Sequence, residues 1–234
     1  MICNICKEPV DNNTTYMCPN LHKFHCIINY KKGEIIKCTE CNLNLIIYSN
    51  NLFTTKECEE LIIQSNNIGF TDTQTNKFGE EYIKKDMRNN TACVISNDLT
   101  TTFIYDRIKK FIPFVDNIYG ELRVTKYEKG QFCGEHTDNK FMNYKHNDKI
   151  INSKYTFMLY LSDCEGGDLI LNMSNFKKIT IKPKMGSIII FDQSIYHSAK
   201  PVIQGVKYNL RTELITYGYD ENQELRLTYN GLDS

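Results

Sequence analysis

A run of eight short β-strand candidates fills the second half of the sequence and most strongly limits the fold that this chain can adopt. The candidates cover 121–127, 131–137, 154–162, 168–171, 177–182, 186–191, 195–200 and 206–216, separated by glycine or polar turns. Eight strands at this spacing are typical of a jelly roll, a double-stranded β-helix made of two packed sheets. In that topology the first strand pairs with the eighth, the second with the seventh and the third with the sixth.

Two helices are predicted before these strands. Thr54 and Glu57 match a capping box, and the helix that they start should end before Gly69. A second helix should start after Asn97 or Asp98 and run to Pro113. Its predicted apolar face consists of Leu99, Phe103, Ile104, Ile108, Phe111 and Ile112. The sequence therefore indicates a mainly β fold with flanking helices, and 43–51 is interpreted as a connection that precedes them.

The cysteines are concentrated near the N-terminus, where six of the ten lie within the first 41 residues. The opening residues lack the charged and then apolar pattern of a signal peptide, so we expect an intracellular, cytoplasmic protein. Thiols stay reduced in the cytoplasm, and clustered cysteines therefore indicate metal binding rather than disulfides. Two Cys-x-x-Cys pairs are typical ligands of tetrahedral zinc.

Eight residues are candidate zinc ligands, which is enough for two sites of four. They are Cys3, Cys6, Cys18, His22, His25, Cys26, Cys38 and Cys41. The segment 18–26 is similar to the centre of a RING-type finger, although two adjacent ligands, His25 and Cys26, are geometrically awkward. We predict a RING-like zinc-binding module over 1–48 that folds with its metal. A true RING with ligase activity is the alternative, and the module is a candidate for binding a protein partner.

A different metal site is predicted where the second and seventh strands pair. The second strand ends in His136-Thr137-Asp138, and the seventh begins near His197. Two imidazoles and one carboxylate on one side of an ion form the facial triad of non-haem Fe(II) oxygenases, which leaves coordination positions open. The strand pairing therefore predicts an iron centre built from residues that are distant in sequence.

A second His-x-Asp match, His146 to Asp148, lies in the polar stretch 143–149. This stretch has no strand character, so we predict a solvated loop that holds no ligand rigidly. The ligand set is therefore assigned to the first match, His136 and Asp138.

The eighth strand alternates Lys207, Asn209 and Arg211 on one face, beside Tyr127 of the first strand. A cation and a phenol behind the metal would suit a dicarboxylate cosubstrate. For Arg211, pairing with an acidic residue at the end of the strand is an equally good interpretation.

The charge balance bears on possible partners. Lysine plus arginine and aspartate plus glutamate both total 28, so the formal net charge is zero. A broad basic surface for nucleic acid or an anionic membrane is therefore not expected. No apolar run approaches the roughly 20 residues that a membrane-spanning helix needs.

The segment 53–217 resembles the prolyl 4-hydroxylase-like branch of the 2-oxoglutarate/Fe(II) dioxygenases. The matching pieces keep the order and spacing of that family over about two thirds of the chain. They are 55–62, 88–90, 123–132 followed by His136-Thr137-Asp138, 156–161 followed by Gly166-Gly167, 183–191, His197, 201–205 and 207–212. The predicted domains are accordingly the zinc module over 1–48, a dioxygenase jelly roll over 49–220 and a tail over 221–234.

The resemblance implies a role for each matching residue. His136, Asp138 and His197 would bind Fe(II), and Lys207 would form a salt bridge with the distal carboxylate of 2-oxoglutarate. Three further residues are candidates for the cosubstrate site. Tyr127 would donate a hydrogen bond to the same carboxylate, Thr156 would line the pocket, and Arg211 would assist in binding 2-oxoglutarate.

The implied activity is hydroxylation of a protein side chain, with proline the leading candidate. Decarboxylation of 2-oxoglutarate to succinate and consumption of O2 would accompany it, and L-ascorbate would keep the iron reduced. Two alternatives stay open: an oxygenase for a nucleobase or small molecule, and a zinc-finger adaptor with a non-catalytic barrel. Specificity is expected to lie in the loops 69–90 and 139–153.

Overall fold

The structure of the chain, a computed structural model, describes residues 14–17, 23–24, 46–73, 75–77, 80–82, 85–112, 115–138, 144–146, 149–173 and 178–218. The eight predicted zinc ligands and the predicted tail over 221–234 lie outside these ranges. The zinc module and the division into domains therefore stay predictions. Within the described ranges, neither helix has the length and apolar character needed to cross a membrane.

Both predicted helices are present. Helix α1 spans Thr55–Ile68, and α2 spans Asp98–Ile108 and continues as a 3₁₀ turn over Lys109–Phe111. The predicted apolar face of α2 is only partly correct. Ile104 and Ile108 are buried, whereas Leu99 is 82% exposed because it lies in the first turn, at the outer end of the helix.

The capping box that starts α1 also connects the two helices. The backbone N–H of Glu57 donates to the Thr54 hydroxyl, and the backbone N–H of Thr54 donates to the Glu57 carboxylate at 2.7 Å. The same carboxylate accepts from Arg107 of α2 at 2.7 Å. One acidic side chain thus satisfies an orphan N–H of α1 and fixes α2 beside it.

The described ranges contain nineteen strands. In chain order they are β1 (Thr14–Met17), β2 (Lys23–Phe24), β3 (Ile46–Ser49), β4 (Thr71–Asp72), β5 (Thr75–Lys77), β6 (Glu80–Tyr82), β7 (Thr91–Ser96), β8 (Asn117–Ile118), β9 (Glu121–Tyr127), β10 (Cys133–His136), β11 (Tyr144–His146), β12 (Lys149–Tyr160), β13 (Glu165–Gly166), β14 (Leu169–Asn172), β15 (Lys178–Ile181), β16 (Ile188–Asp192), β17 (Tyr196–Ala199), β18 (Val202–Gln204) and β19 (Lys207–Gly218).

Most of these strands form two sheets. Over the described residues, the larger sheet has the order β2-β1-β3-β16-β12-β19-β9-β7-β4, with β11 beside β12 and β8 beside β19. The smaller sheet has the order β10-β17-β14-β15, and β13-β18 and β5-β6 form separate pairs. The predicted jelly-roll pairings are confirmed, because β9 pairs with β19, β10 with β17 and β12 with β16.

The central strand β12 of the larger sheet buries apolar side chains on both of its faces. Phe157 and Leu159 of β12 belong to the core that also holds the buried residues of α1 and α2. Met158 and Tyr160, which point to the opposite face, pack against residues of the smaller sheet such as Leu171. Each fully buried side chain of this kind contributes about 1.5–3 kcal/mol to folding. The site lies between the sheets, at one end of this second core.

Two segments differ from the sequence-based expectation. The segment interpreted as a connection contains β3, which pairs with β16 and is largely buried because Ile46 and Ile47 complete two cores. The polar stretch 143–149, predicted to be a loop, contains β11, which forms a hairpin with the start of β12. The loop prediction is wrong here because pairing of β12 with the end of β19 extends the sheet into a polar sequence.

Candidate active site

Two histidines face each other across paired strands. His136 of β10 and His197 of β17 are direct Cα partners, and their ring centroids are 4.3 Å apart. Nδ1 of His136 lies 2.9 Å from the Gly134 carbonyl, and Nδ1 of His197 lies 2.9 Å from the Ile195 carbonyl. Because a carbonyl oxygen only accepts, each Nδ1 donates, and the Nε2 lone pair of each neutral ring is free for a metal.

The two rings have different affinities for a proton. Burial lowers the pKa of His197 to about 4, so this ring is neutral at physiological pH. Burial acts in the same direction on His136, but the Cys133 thiol, the Gly134 carbonyl and Asp138 outweigh it and raise the pKa of His136. A larger fraction of His136 than of His197 is therefore protonated, and a metal that binds His136 must displace this proton.

A single carboxylate completes the cluster. One oxygen of Asp138 lies 3.8 Å from Nε2 of His136, and the other lies 3.7 Å from Nε2 of His197. The ligand atoms of the three residues all lie within 4.8 Å of one another. The predicted juxtaposition of His136, Asp138 and His197 is therefore present in the fold.

Asp138 is held by contacts on both oxygens. The Thr156 hydroxyl donates to Oδ2 at 2.5 Å, and Arg211 Nη2 lies 3.0 Å from Oδ1. The backbone N–H of Asp138 donates to the Gln193 carbonyl. Burial acts to raise the pKa of Asp138, but Arg211, His197 and Thr156 together hold that pKa below its usual value. The carboxylate is therefore charged and oriented at neutral pH.

This donor set fits Fe(II). Two neutral imidazole nitrogens and one carboxylate oxygen on the same side of an ion are the facial arrangement of non-haem iron oxygenases. The cavity beside the triad has a volume of about 1160 Å³ and is lined by His136, Asp138 and His197 together with Lys207. Open coordination positions would therefore face space large enough for a cosubstrate and part of a substrate.

A buried lysine lies in the same cavity. Lys207 is 2% exposed, and its Nζ donates to the Gly167 carbonyl at 2.6 Å. Nζ also lies 4.9 Å from the ring centroid of Tyr127 and 5.8 Å from that of Tyr160. Burial lowers the pKa of Lys207 to about 8. Lys207 and Tyr127 are direct partners across β9 and β19, as the sequence predicts.

The surroundings of Lys207 suit a carboxylate ligand. No salt bridge joins Lys207 to any carboxylate in the described part of the chain, and burying an unpaired cation is costly. The Tyr160 hydroxyl is also buried and has no hydrogen-bond partner among the described residues. An acidic ligand would pair the cation and could accept from this hydroxyl, so the residues present fit the distal carboxylate of 2-oxoglutarate. Tyr160 was missed by sequence reasoning, although it lies on the same face of β12 as Met158.

Two other predicted cosubstrate residues contact Asp138 instead. Thr156 is fully buried, does not line the cavity and donates to Asp138. Arg211 lies between Asp138 and Glu213, at 3.0 and 2.9 Å. The interpretation of Arg211 as an arginine paired with an acid matches these contacts, and a role of Arg211 toward 2-oxoglutarate stays a prediction. Burial raises the pKa of Glu213.

The second His-x-Asp match lies partly outside the described residues. His146 ends β11, and Asp148 lies outside the described residues. The zinc-ligand candidates also lie outside them. Among the described residues, His136, Asp138 and His197 form the group with metal-ligand spacing.

Comparison with known proteins finds similarity to the same family. Residues 122–212 match the model of the 2OG-Fe(II) oxygenase superfamily. A PKHD-type hydroxylase of Rippkaea orientalis is 25% identical over 171 residues, which cover 70% of this chain and 75% of the relative.

Solved structures agree in fold. A prolyl-4-hydroxylase of Pseudomonas putida aligns with a TM-score of 0.55 at 13% identity, over 74% of this chain and 93% of that one. A prolyl hydroxylase of Trichoplax adhaerens, solved with a peptide fragment of the hypoxia inducible factor oxygen degradation domain, aligns with a TM-score of 0.54 at 19% identity, over 76% and 84%. At these identities the likeness establishes the fold.

Proposed function

We propose that this chain, a 2-oxoglutarate-dependent dioxygenase, hydroxylates a side chain of a protein or peptide, with proline as the target residue. The enzyme class predicted from the sequence is confirmed by the family match and the hydroxylase relatives. The alternative of a zinc-finger adaptor with a non-catalytic barrel is therefore dropped. Target residue and substrate class are the parts that we propose.

One observation carries the proposal. The His136, Asp138 and His197 ligand atoms converge beside a cavity that also contains the buried cation Lys207. An iron-binding triad and an unpaired cation in one cavity suit a metal that chelates a dicarboxylate. A binding barrel without catalysis would have no use for a buried lysine that lacks an acidic partner in the described part of the chain.

Two groups of residues would hold the metal and orient its ligands. His136, Asp138 and His197 would hold Fe(II), while Thr156 and Arg211 orient the carboxylate of Asp138. When bound, Fe(II) supplies the oxygen chemistry: one atom of O2 enters a substrate C–H bond, and the other enters the succinate formed with CO2 from 2-oxoglutarate.

The cosubstrate would be positioned from the opposite end. Lys207 would pair with its distal carboxylate, and the Tyr127 and Tyr160 rings exclude water from that contact. Lys207 thereby sets the depth at which 2-oxoglutarate sits relative to the three metal ligands. This positioning, rather than proton transfer, is the contribution that we assign to the protein.

Three considerations support a peptide substrate. The solved neighbours include prolyl hydroxylases, and one of them was solved with a peptide fragment. The cavity is wide enough for a side chain beside the cosubstrate. The chain has no net charge, which does not favour a nucleic-acid substrate.

The remaining features are proposed on the sequence alone. L-ascorbate would restore iron that is oxidised in turnovers without substrate. The cysteine-rich N-terminus would bind two zinc ions in a RING-like module that holds a protein partner. A cytoplasmic location is part of this proposal, because thiols that bind zinc stay reduced there.

The direct test is turnover with proline-containing peptides. Purified protein, Fe(II), 2-oxoglutarate, ascorbate and O2 are mixed with a library of such peptides. We expect a peptide to gain one oxygen atom in mass, located to proline by fragmentation, with one succinate formed per hydroxylation. Oxygen on another residue would contradict the proline assignment, and oxidation of free nucleosides with no reaction on peptides would contradict the substrate class.

The pKa of Lys207 predicts how cosubstrate binding depends on pH. With a pKa of about 8, Lys207 is charged below pH 8 and loses its proton above that value, whereas an ordinary lysine stays charged to about pH 10. Affinity for 2-oxoglutarate should therefore be constant below pH 8 and fall up to about tenfold per pH unit above it. The measurement is a titration of Mn(II)-loaded protein with 2-oxoglutarate.

The control is Lys207→Arg, because a guanidinium stays charged over this whole range. Its affinity should change little with pH. Equal slopes in the two proteins would assign the pH dependence to another group and contradict the prediction.

A further inference from the structure

Two arginines lie directly opposite each other on the wall of the cavity. Arg211 of β19 and Arg123 of β9 are Cα partners on neighbouring antiparallel strands. Both residues line the cavity, and Val94 of β7 and Met158 of β12 continue the row on either side. Like charges directly opposite on paired strands destabilise a sheet. An arginine pair at this place therefore calls for an anion between or above the two guanidinium groups.

The described residues leave donors of this pair unused. Arg211 contacts Asp138 and Glu213 through Nη2, but its Nε is buried without an acceptor in the described part of the chain. Arg123 forms no hydrogen bond or salt bridge with any residue that the structure describes, and it is only partly exposed. Both guanidinium groups therefore keep N–H groups that have no acceptor among the described residues.

The local charge selects a singly charged anion. Arg88 also lines the cavity, and its positive charge, like that of Arg211, reaches Arg123. Three carboxylates that do not belong to the triad, Asp72, Glu121 and Glu213, line the cavity, and the charge of Asp72 is already paired with Lys85. The charge of Asp138 would be taken by Fe(II). Three arginines against two glutamates leave one positive charge among the described residues, which matches a carboxylate better than a phosphate dianion.

The position of the pair separates it from the cosubstrate. Arg211 contacts the metal ligand Asp138, whereas Lys207 lies four residues away on the same strand, roughly 13 Å at 3.4 Å per residue. A molecule of 2-oxoglutarate held by Lys207 and by the metal would leave Arg123 and the free edge of Arg211 for the substrate.

We propose that Arg123 and Arg211, with Arg88, bind the carboxylate of an acidic residue that neighbours the hydroxylated residue in the substrate. This inference rests on the proposed function, because it assumes a peptide. The contact places an aspartate or glutamate of the substrate beside the metal ligands and fixes which neighbouring side chain faces the open coordination positions. Arg123 is then a specificity-determining residue.

The test uses matched peptides that differ in one charge. A proline-centred peptide carries glutamate at one position within two residues of the proline, and its counterpart carries glutamine there. Both are titrated into protein loaded with Mn(II) and 2-oxoglutarate, and both are also assayed for hydroxylation with Fe(II). For the best position we expect the glutamate peptide to bind at least about tenfold more tightly.

The matched variants are Arg123→Gln and Lys126→Gln, which remove one positive charge from the same strand. Lys126 forms a salt bridge with Glu128 outside the cavity. Arg123→Gln should bind the two peptides equally, Arg123→Lys should keep part of the preference, and Lys126→Gln should keep all of it. The loss of preference in Arg123→Gln is the expected signature of a direct contact.

Each other outcome gives a clear decision. Equal binding of the two peptides by the wild-type protein, or an unchanged preference in Arg123→Gln, would overturn the inference, while proline hydroxylation of both would leave the proposed function standing. Stronger binding of a phosphoserine peptide than of the glutamate peptide would overturn the carboxylate assignment. Arg123-dependent binding of the glutamate peptide without hydroxylation would support the inference and reject the proposed reaction.

Discussion

Replacing His197 with alanine is expected to abolish turnover of 2-oxoglutarate and to remove iron from the protein. The Nε2 of His197 is one of three ligand atoms that lie within 4.8 Å of one another, and its ring is buried and held by the Ile195 carbonyl. Two remaining ligands would not hold the ion in a facial geometry. Activity should fall more than about a thousandfold, since the metal supplies the oxygen chemistry.

Succinate formation and metal analysis of the purified protein measure the two effects. The double variant His136→Ala/His197→Ala should contain no iron, while zinc, predicted at two ions per chain, should persist. His146→Ala is the matched control, because it removes the histidine of the other His-x-Asp match and should keep both iron and activity. Iron retained in the double variant, or lost from the control, would show that the ligands are different residues.

The second large effect is expected at Lys207, where affinity and stability should change in opposite directions. Lys207→Met keeps most of the side-chain length but removes the charge that would bind 2-oxoglutarate, so affinity for the cosubstrate should fall about a hundredfold. The same change removes a buried cation that has no acidic partner among the described residues, so the ligand-free protein should gain about 1–3 kcal/mol in the free energy of unfolding.

Titration with 2-oxoglutarate and unfolding in urea measure the two quantities. Lys200→Met serves as the control, because Lys200 is exposed and pairs only with Asp168 at the surface, where such pairs contribute less than about 1 kcal/mol. A loss of both stability and affinity in Lys207→Met would indicate that the lysine is a structural residue rather than a ligand-binding one.

The sequence correctly predicted those contacts of the site that follow from strand pairing alone. A jelly roll pairs its second strand with its seventh, and this pairing makes His136 and His197 direct partners. It likewise pairs the first strand with the eighth, which brings Tyr127 to Lys207. Strand order is encoded in the spacing of turns and apolar runs, so such pairs can be read from one sequence.

The contacts of Arg211 could not be read in this way. Alternation places Lys207, Asn209 and Arg211 on one face, but it does not say which of them approaches the metal. The answer depends on where Asp138 ends up after β10, which is set by the hydrogen bond from its N–H to Gln193. The position of Asp138 after β10 thus determines that Arg211 contacts a metal ligand, and this position cannot be read from the sequence of β19.

The other features that the sequence did not predict also depend on tertiary contacts. The polar segment that contains β11 carries no strand pattern and gains its structure by pairing with β12. The segment that contains β3 is apolar but short, and the sequence does not show that it would complete the edge beside β16. Tyr160 and Arg123 were overlooked because an aromatic or charged residue in a strand is usually structural. Arg123 is distinguished by its place in the cavity wall, and Tyr160 by a buried hydroxyl without a partner among the described residues.

The direct opposition of His136 and His197 also has a consequence for the folding chain. The two residues are 61 positions apart, so a metal ion bound to both would close a long loop and act as a reversible cross-link. Such a cross-link stabilises the native state by mass action, by an amount that rises with the logarithm of the ion concentration once this exceeds the dissociation constant. Resistance to thermal unfolding should therefore vary with iron supply, and a cell short of iron would accumulate a chain that is easier to degrade.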